Sequence, residues 1–308
     1  LRIFWKDHNG YKKMDEIVIR NLKYMFTLLR KWYLFQSKKI PMQNLTRFEP
    51  FNNYKCIFVL STGRCGTKLL TKILNFSSEL WVDHKPSPEL AFQSYRAYKY
   101  QYTLDQLKTD FSHSRLDMIK KCYKNSLIYC ETNNRISLYA RAISNIFPNA
   151  KFIHLVRHPG EFVRSGIRRG YYTRMNAEIS GHLEPRENSS LIEKWSIMSQ
   201  IEKIAWQWNT INCEIENFKK TIPPNKICTI QSQSMFINPE VTIQLFDFIG
   251  VANPFIGTRG RSCLKNILNH PINVQKIGSY PTYDNWSNKD KLTVKRMASL
   301  AKNYGFKL

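Results

Sequence analysis

Residues 55–60 (KCIFVL) form a run that is apolar from Cys56 on and ends directly in a short loop, Ser61-Thr62-Gly63-Arg64-Cys65-Gly66. The next segment places Leu69, Leu70, Ile73 and Leu74 on one helical face. A continuous apolar run of this length reads as a strand buried on both faces, the mark of a parallel sheet. Parallel strands need crossover connections, so this one feature commits the chain to an α/β fold. The helix is expected over 67–76. Residues 126–130 and Lys151–Val156 read as two more strands, separated by a helical stretch over 135–147 that stops before Pro148. Pro159 opens the next helix at its first position. Ser190 and Glu193 have the spacing of a capping box, ahead of a Trp-rich helix that reaches Phe218. Residues 226–230 read as a further strand, Pro239–Ile249 as a helix stopped by Gly250, and 290–303 as a final helix.

The first 50 residues read as an appended segment, with eleven basic and four acidic side chains. Ile17, Leu22, Met25, Leu28, Leu29 and Trp32 recur at helical spacing within 14–35. A basic amphipathic helix of this kind packs on its own domain or lies on an anionic membrane surface as a peripheral contact. The expected organisation is a basic N-terminal helical segment, 1–50, and one α/β domain, 51–308.

Charge narrows the partners. Lys and Arg number 47 against 23 Asp and Glu, a net +24, which points to an anionic ligand, glycan, nucleic acid or membrane. The seven cysteines are odd in number and contain no C-x-x-C pair. That argues against a zinc site or a disulfide framework, and for reduced thiols in a cytoplasm. The Golgi lumen is the alternative if an anchor ahead of Leu1 was trimmed. No apolar run approaches the ~20 residues of a membrane span.

The loop after the first strand is built to hold a phosphate-like group. A strand-to-helix turn offers free backbone N–H groups and the positive end of a helix dipole. Gly63 and Gly66 permit close approach of an anion, Arg64 and Lys68 add charge, and Thr67 adds a hydroxyl. It is not a nucleotide-triphosphatase loop, because Thr67 separates Gly66 from Lys68 and Gly63 stands only three residues before Gly66. A second anion site follows Lys151–Val156. Arg157, at the carboxyl end of a strand, suits a phosphate with its planar fork, and Ser165 follows eight residues later. Arg168, on the same helix, is expected on a solvated face.

Two segments together resemble the sulfotransferases that use 3′-phosphoadenosine 5′-phosphosulfate. Residues 62–70 (TGRCGTKLL) are similar to the loop that binds the 5′-phosphosulfate. Residues 151–165 (KFIHLVRHPGEFVRS) are similar to the strand, loop and helix that bind the 3′-phosphate. The resemblance spans residues 54–306 and implies a P-loop-like parallel sheet flanked by helices, with a sulfotransferase catalytic domain over 51–308. It implies donor contacts from Gly63, Arg64, Cys65, Gly66, Thr67, Lys68, Arg157 and Ser165. It adds Arg169 as a further 3′-phosphate arginine, and Lys276, ten residues before Trp286, as another donor contact. The family's loop Ser is Cys65 here, Leu69 stands where a Trp would stack on the base, and adenine contacts do not carry over to Gln231-Ser232-Gln233-Ser234.

Sulfuryl transfer needs charge stabilisation on the leaving phosphate and removal of the acceptor proton. Arg64 takes the first task by the resemblance. His84, in the segment Trp81-Val82-Asp83-His84-Lys85-Pro86, is the base of choice because its ordinary pKa lies near neutrality, with Asp83 and Glu89 as rivals. Glu131-Thr132-Asn133-Asn134 ends a strand on the same edge and either orients the acceptor or caps the next helix. Tyr95, Tyr98 and Tyr102 share a helical face that lines an acceptor cleft or packs in the core. The expected reaction needs no metal, and its acceptor is a small molecule or a glycan. Two other readings compete. A kinase with a variant loop lacks Gly-Lys-Ser/Thr and a strand-end Asp. A nucleic-acid-binding module lacks any RNA-binding signature or zinc finger, so no specific nucleic acid is expected.

Overall fold

The computed structural model describes residues 53–173, 176–269 and 279–308. The helix expected over 14–35, the boundary at residue 50 and Lys276 lie outside the described residues. Five strands form one sheet: β1 (Cys56–Leu60), β2 (Leu80–Asp83), β3 (Ile128–Glu131), β4 (Lys151–Val156) and β5 (Ile227–Gln231). Their order is β2-β3-β1-β4-β5, and every pair is parallel. The expected α/β fold with a helix-flanked parallel sheet is what the chain adopts.

The apolar run explains the central place of β1. All five of its residues are buried, so both faces of the strand are covered. Cys56, Phe58 and Leu60 face one layer with Tyr129 and Phe152; Ile57 and Val59 face the other with Cys130, Ile153 and Leu155. This is the period of two that a pleated strand imposes. The first layer receives α3 (Leu104–Lys124), α4 (Ala140–Ile146) and α7 (Gln200–Lys219), through Phe111, Ile119, Ile143, Ile211, Ile215 and Phe218. The second receives α1 (Thr67–Leu74), α9 (Pro239–Ile249) and α10 (Gly257–Asn269), through Leu70, Ile73, Phe246, Ile249, Leu264 and Ile267. A third cluster joins α5 (Pro159–Ile167) and α7 to α11 (Asn288–Met297) around Phe162, Trp208 and Val294.

From β1 the chain crosses to β2 and β3 on one side, then to β4 and β5 on the other. The two sets of connections diverge at the carboxyl end of β1, where open α/β sheets place their ligand crevice.

Three local expectations shift. Residues 190–198 form turns, and the long helix starts at Gln200, capped by Ser199 with Glu202 completing the capping box. Ser199-x-x-Glu202 repeats the Ser190-x-x-Glu193 spacing nine residues on, and only the second copy precedes an apolar helical face. The stretch over 135–147 begins as a 3-10 helix, Asn134–Tyr139, before α4. The final helix is α11 followed by the 3-10 turn Ser299–Tyr304. Tyr95 and Tyr98 lie buried on α2 (Ala91–Lys99) and Tyr102 follows its end; Tyr98 and Tyr102 pack in the first core layer.

Glu131 takes a structural part. The Arg115 guanidinium, on α3, donates Nε to its Oε2 at 2.7 Å and Nη2 to its Oε1 at 2.9 Å, with both side chains fully buried. Tyr129 Oη and Asn133 Nδ2 also donate to Glu131, at 2.8 and 3.0 Å. Removing one member of such a pair leaves an uncompensated buried charge. Arg115→Met is therefore expected to cost on the order of 3–5 kcal/mol, read as a lower urea midpoint at unchanged slope. The double change Arg115→Met with Glu131→Leu should recover most of that loss. A single-variant cost below about 1 kcal/mol would contradict the assignment.

Candidate active site

The loop between β1 and α1 turns through left-handed backbone at Gly63 (φ +82°), Arg64 (φ +58°) and Gly66 (φ +84°). Such turns make backbone N–H groups converge into an anion-binding concavity. At Gly66 the positive φ strains any other residue, and a Cβ there would also stand 2.5 Å from Phe236 Cζ, so the Phe236 ring would have to move. It is the N-cap of α1 and supplies no side-chain acceptor, so the first N–H groups of that helix are left for a ligand. Ser137 Oγ accepts from Ser61 N at 2.9 Å and donates to Ser61 O at 3.0 Å, which fixes where the loop leaves the strand. Cys65 is fully buried, and its thiol donates to Gly63 O at 3.0 Å. Cys65, expected among the donor contacts, packs instead in the core layer under the loop and does not border the cleft described below.

The second anion segment meets this loop. Arg157 Nη1 donates to Arg64 O at 2.7 Å, and Nη2 pairs with Glu161 Oε2 at 3.2 Å. Arg64 Nε in turn donates to Ser165 Oγ at 3.1 Å. Residues a hundred positions apart thus share one wall. Burial, with Arg169 and Arg157 nearby, pulls the Arg64 pKa below its ordinary value.

These groups line a cleft of about 790 Å³. Gly63, Arg64, Gly66, Thr67, Lys68, His84, Arg157, Ser165 and Arg169 all border it. Arg168, expected in solvent, borders it as well. Among the described residues, eight Lys and Arg line the cleft against one carboxylate, Glu161, so the space is built for a multiply charged anion. Arg169 Nε is buried without a hydrogen-bond partner, a donor that an incoming anion would satisfy. Among the described residues, no group of three or more His, Cys, Asp or Glu side chains could hold a metal ion.

His84 stands at the end of β2, beside Thr132 at the end of β3. Its Nδ1 lies 3.0 Å from Thr132 Oγ1, which lies 2.6 Å from Thr71 Oγ1. Thr71 Oγ1 donates to Thr67 O at 2.7 Å, as a helical Thr does to the carbonyl four residues back. Thr132 Oγ1 also lies 3.4 Å from Asp83 O, so its proton has two acceptors within reach. When Thr71 donates to Thr67 O and Thr132 to Thr71, His84 Nδ1–H donates to Thr132 and Nε2 carries the free lone pair. Burial, then the charges of Lys85 and Lys68, lower the His84 pKa to about 4. The rival carboxylates do not border the cleft: Asp83 Oδ2 accepts from Trp81 Nε1 at 2.9 Å, and Glu89 is paired with Lys85.

The opposite wall was not found from the sequence. Arg135 follows the Glu131–Asn134 segment and binds the carbonyls of Gly181 and Ser180, each at 2.5 Å. His182 is 7% exposed, stacks 3.9 Å from the Tyr171 ring, and bonds Ser180 Oγ through Nδ1. Gln207 reaches the cleft from α7. These residues come from distant segments without a motif, and only Arg135 adjoined a segment already singled out.

A glycine-turned loop at the centre of a parallel sheet, opening on a cationic cleft, defines a P-loop-like α/β protein. The chain matches the Sulfotransferase family over residues 56–254 and belongs to that family. Its fold is similar to the sulfotransferase domain from the Synechococcus PCC 7002 olefin synthase, at 16% identity, 82% of this chain, 95% of that one and a TM-score of 0.48. It is also similar to the sulfotransferase domain from the curacin biosynthetic pathway (15% identity, 83% and 99% coverage, TM-score 0.45). The sulfotransferase from Alicyclobacillus acidocaldarius follows (14% identity, 79% and 95% coverage, TM-score 0.42). No curated protein matches the chain. Among the described residues no helix is long and apolar enough to cross a membrane.

Proposed function

We propose that the protein transfers the sulfuryl group of 3′-phosphoadenosine 5′-phosphosulfate to a hydroxyl or amine acceptor, a small molecule or a glycan. One observation carries this reading. Two anion-binding sets, the loop with Arg64 and Lys68 and the pair Arg157 and Ser165, border one cleft and are joined by the Arg64–Ser165 hydrogen bond. Two anion sites in one cleft suit a nucleotide phosphorylated at both its 3′ and 5′ positions.

When bound, the donor supplies a sulfuryl group on a phosphate leaving group; the acceptor oxygen or nitrogen bonds to sulfur as the bond from sulfur to the leaving oxygen breaks. Every other task falls to this chain. The loop N–H groups, Thr67 and Lys68 hold the 5′ side. Arg157, Ser165 and Arg169 hold the 3′-phosphate. Arg64 and Lys68 stabilise the charge that grows on the leaving oxygen, an electrostatic contribution typically worth about 100–1000-fold in rate per donor. His84 Nε2 takes the acceptor proton. Its low pKa keeps it neutral at pH 7, and anions beside Lys68 and Lys85 offset the charges that depress it. No metal enters the scheme.

Calorimetry without magnesium tests it. 3′-Phosphoadenosine 5′-phosphate is expected to bind at least about tenfold tighter than adenosine 5′-phosphate, since the second phosphate adds charge-assisted hydrogen bonds. Equal affinities would remove the 3′-phosphate assignment. Tight, magnesium-dependent ATP binding would favour a kinase.

A further inference from the structure

We infer that the acceptor is itself an anion, a hydroxylated carboxylate or sulfate ester such as an acidic sugar, whose charged group is held in a groove beyond His84. The inference rests on the sulfotransfer reading and adds the acceptor class to it. The groove, about 560 Å³, is lined by Lys68, Thr71, Lys72, Asn75, Phe76 and His84. Lys68 and His84 border the donor cleft as well, so the two spaces meet at the base. An acceptor whose hydroxyl reaches His84 from outside the donor cleft therefore lies along this floor.

The chemistry of the floor selects the acceptor. Among the described residues no carboxylate lines it. Lys68 and Lys72 are exposed and, among the described residues, neither has an ion-pair partner. Their neighbours in the donor cleft differ: Lys85 is paired with Glu89, and Arg157 and Arg164 with Glu161. Lys68 also faces the donor's 5′ side, so Lys72, which lines the groove and not the donor cleft, is the ammonium group left to attract an anion and repel a cationic acceptor. Lys68 and Lys72 lie one turn apart on α1, about 6 Å along the axis, which sets the reach between the acceptor's hydroxyl and its charge. Phe76, two residues past the helix, is 45% exposed, and its ring rests against Phe255 at 5.3 Å. A fixed, open aromatic face beside an amide (Asn75) and a cation suits the C–H face, hydroxyls and charge of an acidic sugar ring.

The test compares 4-nitrophenyl β-D-glucuronide with 4-nitrophenyl β-D-glucoside, which differ at a single carboxylate. Their binding to the whole chain is measured with and without saturating 3′-phosphoadenosine 5′-phosphate. The glucuronide is expected to bind at least about tenfold tighter, the scale of one charge-assisted hydrogen bond. Lys72→Glu should reduce that preference below about twofold while nucleotide affinity stays unchanged, and Lys72→Arg should keep it, because the charge is retained. Equal affinities in the unaltered protein, or a preference that survives Lys72→Glu, would overturn the inference. Failure of the nucleotide to bind, with the glucuronide preference intact, would instead overturn the donor assignment and leave the groove standing.

Discussion

Replacing His84 by alanine is expected to lower turnover at saturating donor and acceptor by roughly 100-fold or more, the usual scale of general-base catalysis. Affinity for 3′-phosphoadenosine 5′-phosphate should change little, because the proposed base meets the acceptor and not the nucleotide. The hydrogen-bond chain from His84 through Thr132 and Thr71 to the Thr67 carbonyl sharpens this expectation. Thr132→Val removes the acceptor for Nδ1–H and should lower turnover by about tenfold, since part of the population then carries its proton on Nε2. The pH dependence follows from the lowered pKa. A His held at about 4 is neutral from pH 5 upward, so the ligand-free protein keeps its base form well below pH 6.5 and loses it as pH falls through about 4. Histidine NMR should show this titration in the free protein and an upward move when the nucleotide is added. Near-normal turnover in His84→Ala with collapse in Glu89→Gln or Asp83→Asn would transfer the role to that carboxylate.

The second large effect belongs to Arg157. Arg157→Ala is expected to weaken 3′-phosphoadenosine 5′-phosphate binding by about 100-fold or more, since two charge-assisted bonds of ~1.5–3 kcal/mol each are lost. Affinity for adenosine 5′-phosphate should fall far less. Arg157 also holds the Arg64 carbonyl at 2.7 Å, so some loss on the 5′ side is expected through the loop. Arg157→Lys should recover only part of the binding, because an ammonium lacks the planar fork that serves loop and ligand together. Ser165→Ala removes a neutral hydroxyl and should cost about tenfold at most. Equal weakening for both nucleotides would make Arg157 a shaper of the loop rather than a 3′-phosphate ligand. Circular dichroism of the variant separates either outcome from unfolding.

Much of the fold was legible because its central strand is buried on both faces. Hydrophobicity alone then marks β1 and β4, and the crossovers follow from parallel pairing. The loop was legible because its backbone demands glycine at Gly63 and Gly66, and the partner segment because Arg157 directly follows β4 and Ser165 comes eight residues on, within α5. What stayed hidden depends on contacts across the chain. Helix α3 has a weak apolar stripe, and its buried Arg115 reads as a surface residue until Glu131 is known to face it. The Glu131–Asn134 segment was marked as important, yet its four side chains have separate fates that no local pattern distinguishes. Glu131 enters an ion pair, Thr132 orients His84, Asn133 caps the following turn, and Asn134 borders the cleft beside Gly63. His182 and Gln207 carry no motif; His182 follows the short helix Ala177–Ser180, Gln207 lies on α7, and the two segments meet where Leu183 N donates to Gln207 Oε1 at 2.9 Å.

The excess of cations around the cleft has a consequence for how the protein behaves when empty. Among the described residues eight cations line the cleft, and Glu161 and Glu89 offset only part of their charge, so the remainder repel one another, a self-repulsion of the folded state. Any polyvalent anion relieves it, whatever its shape, and dissolved salt relieves part of it by screening over about 10 Å at 0.1 M. Heat resistance should therefore climb with sulfate, pyrophosphate or citrate as well as with a true donor, by ordinary mass action on the native state. A melting-temperature screen of this protein will rank compounds by valence before it ranks them by fit, unless it is run at an ionic strength high enough to silence the common term.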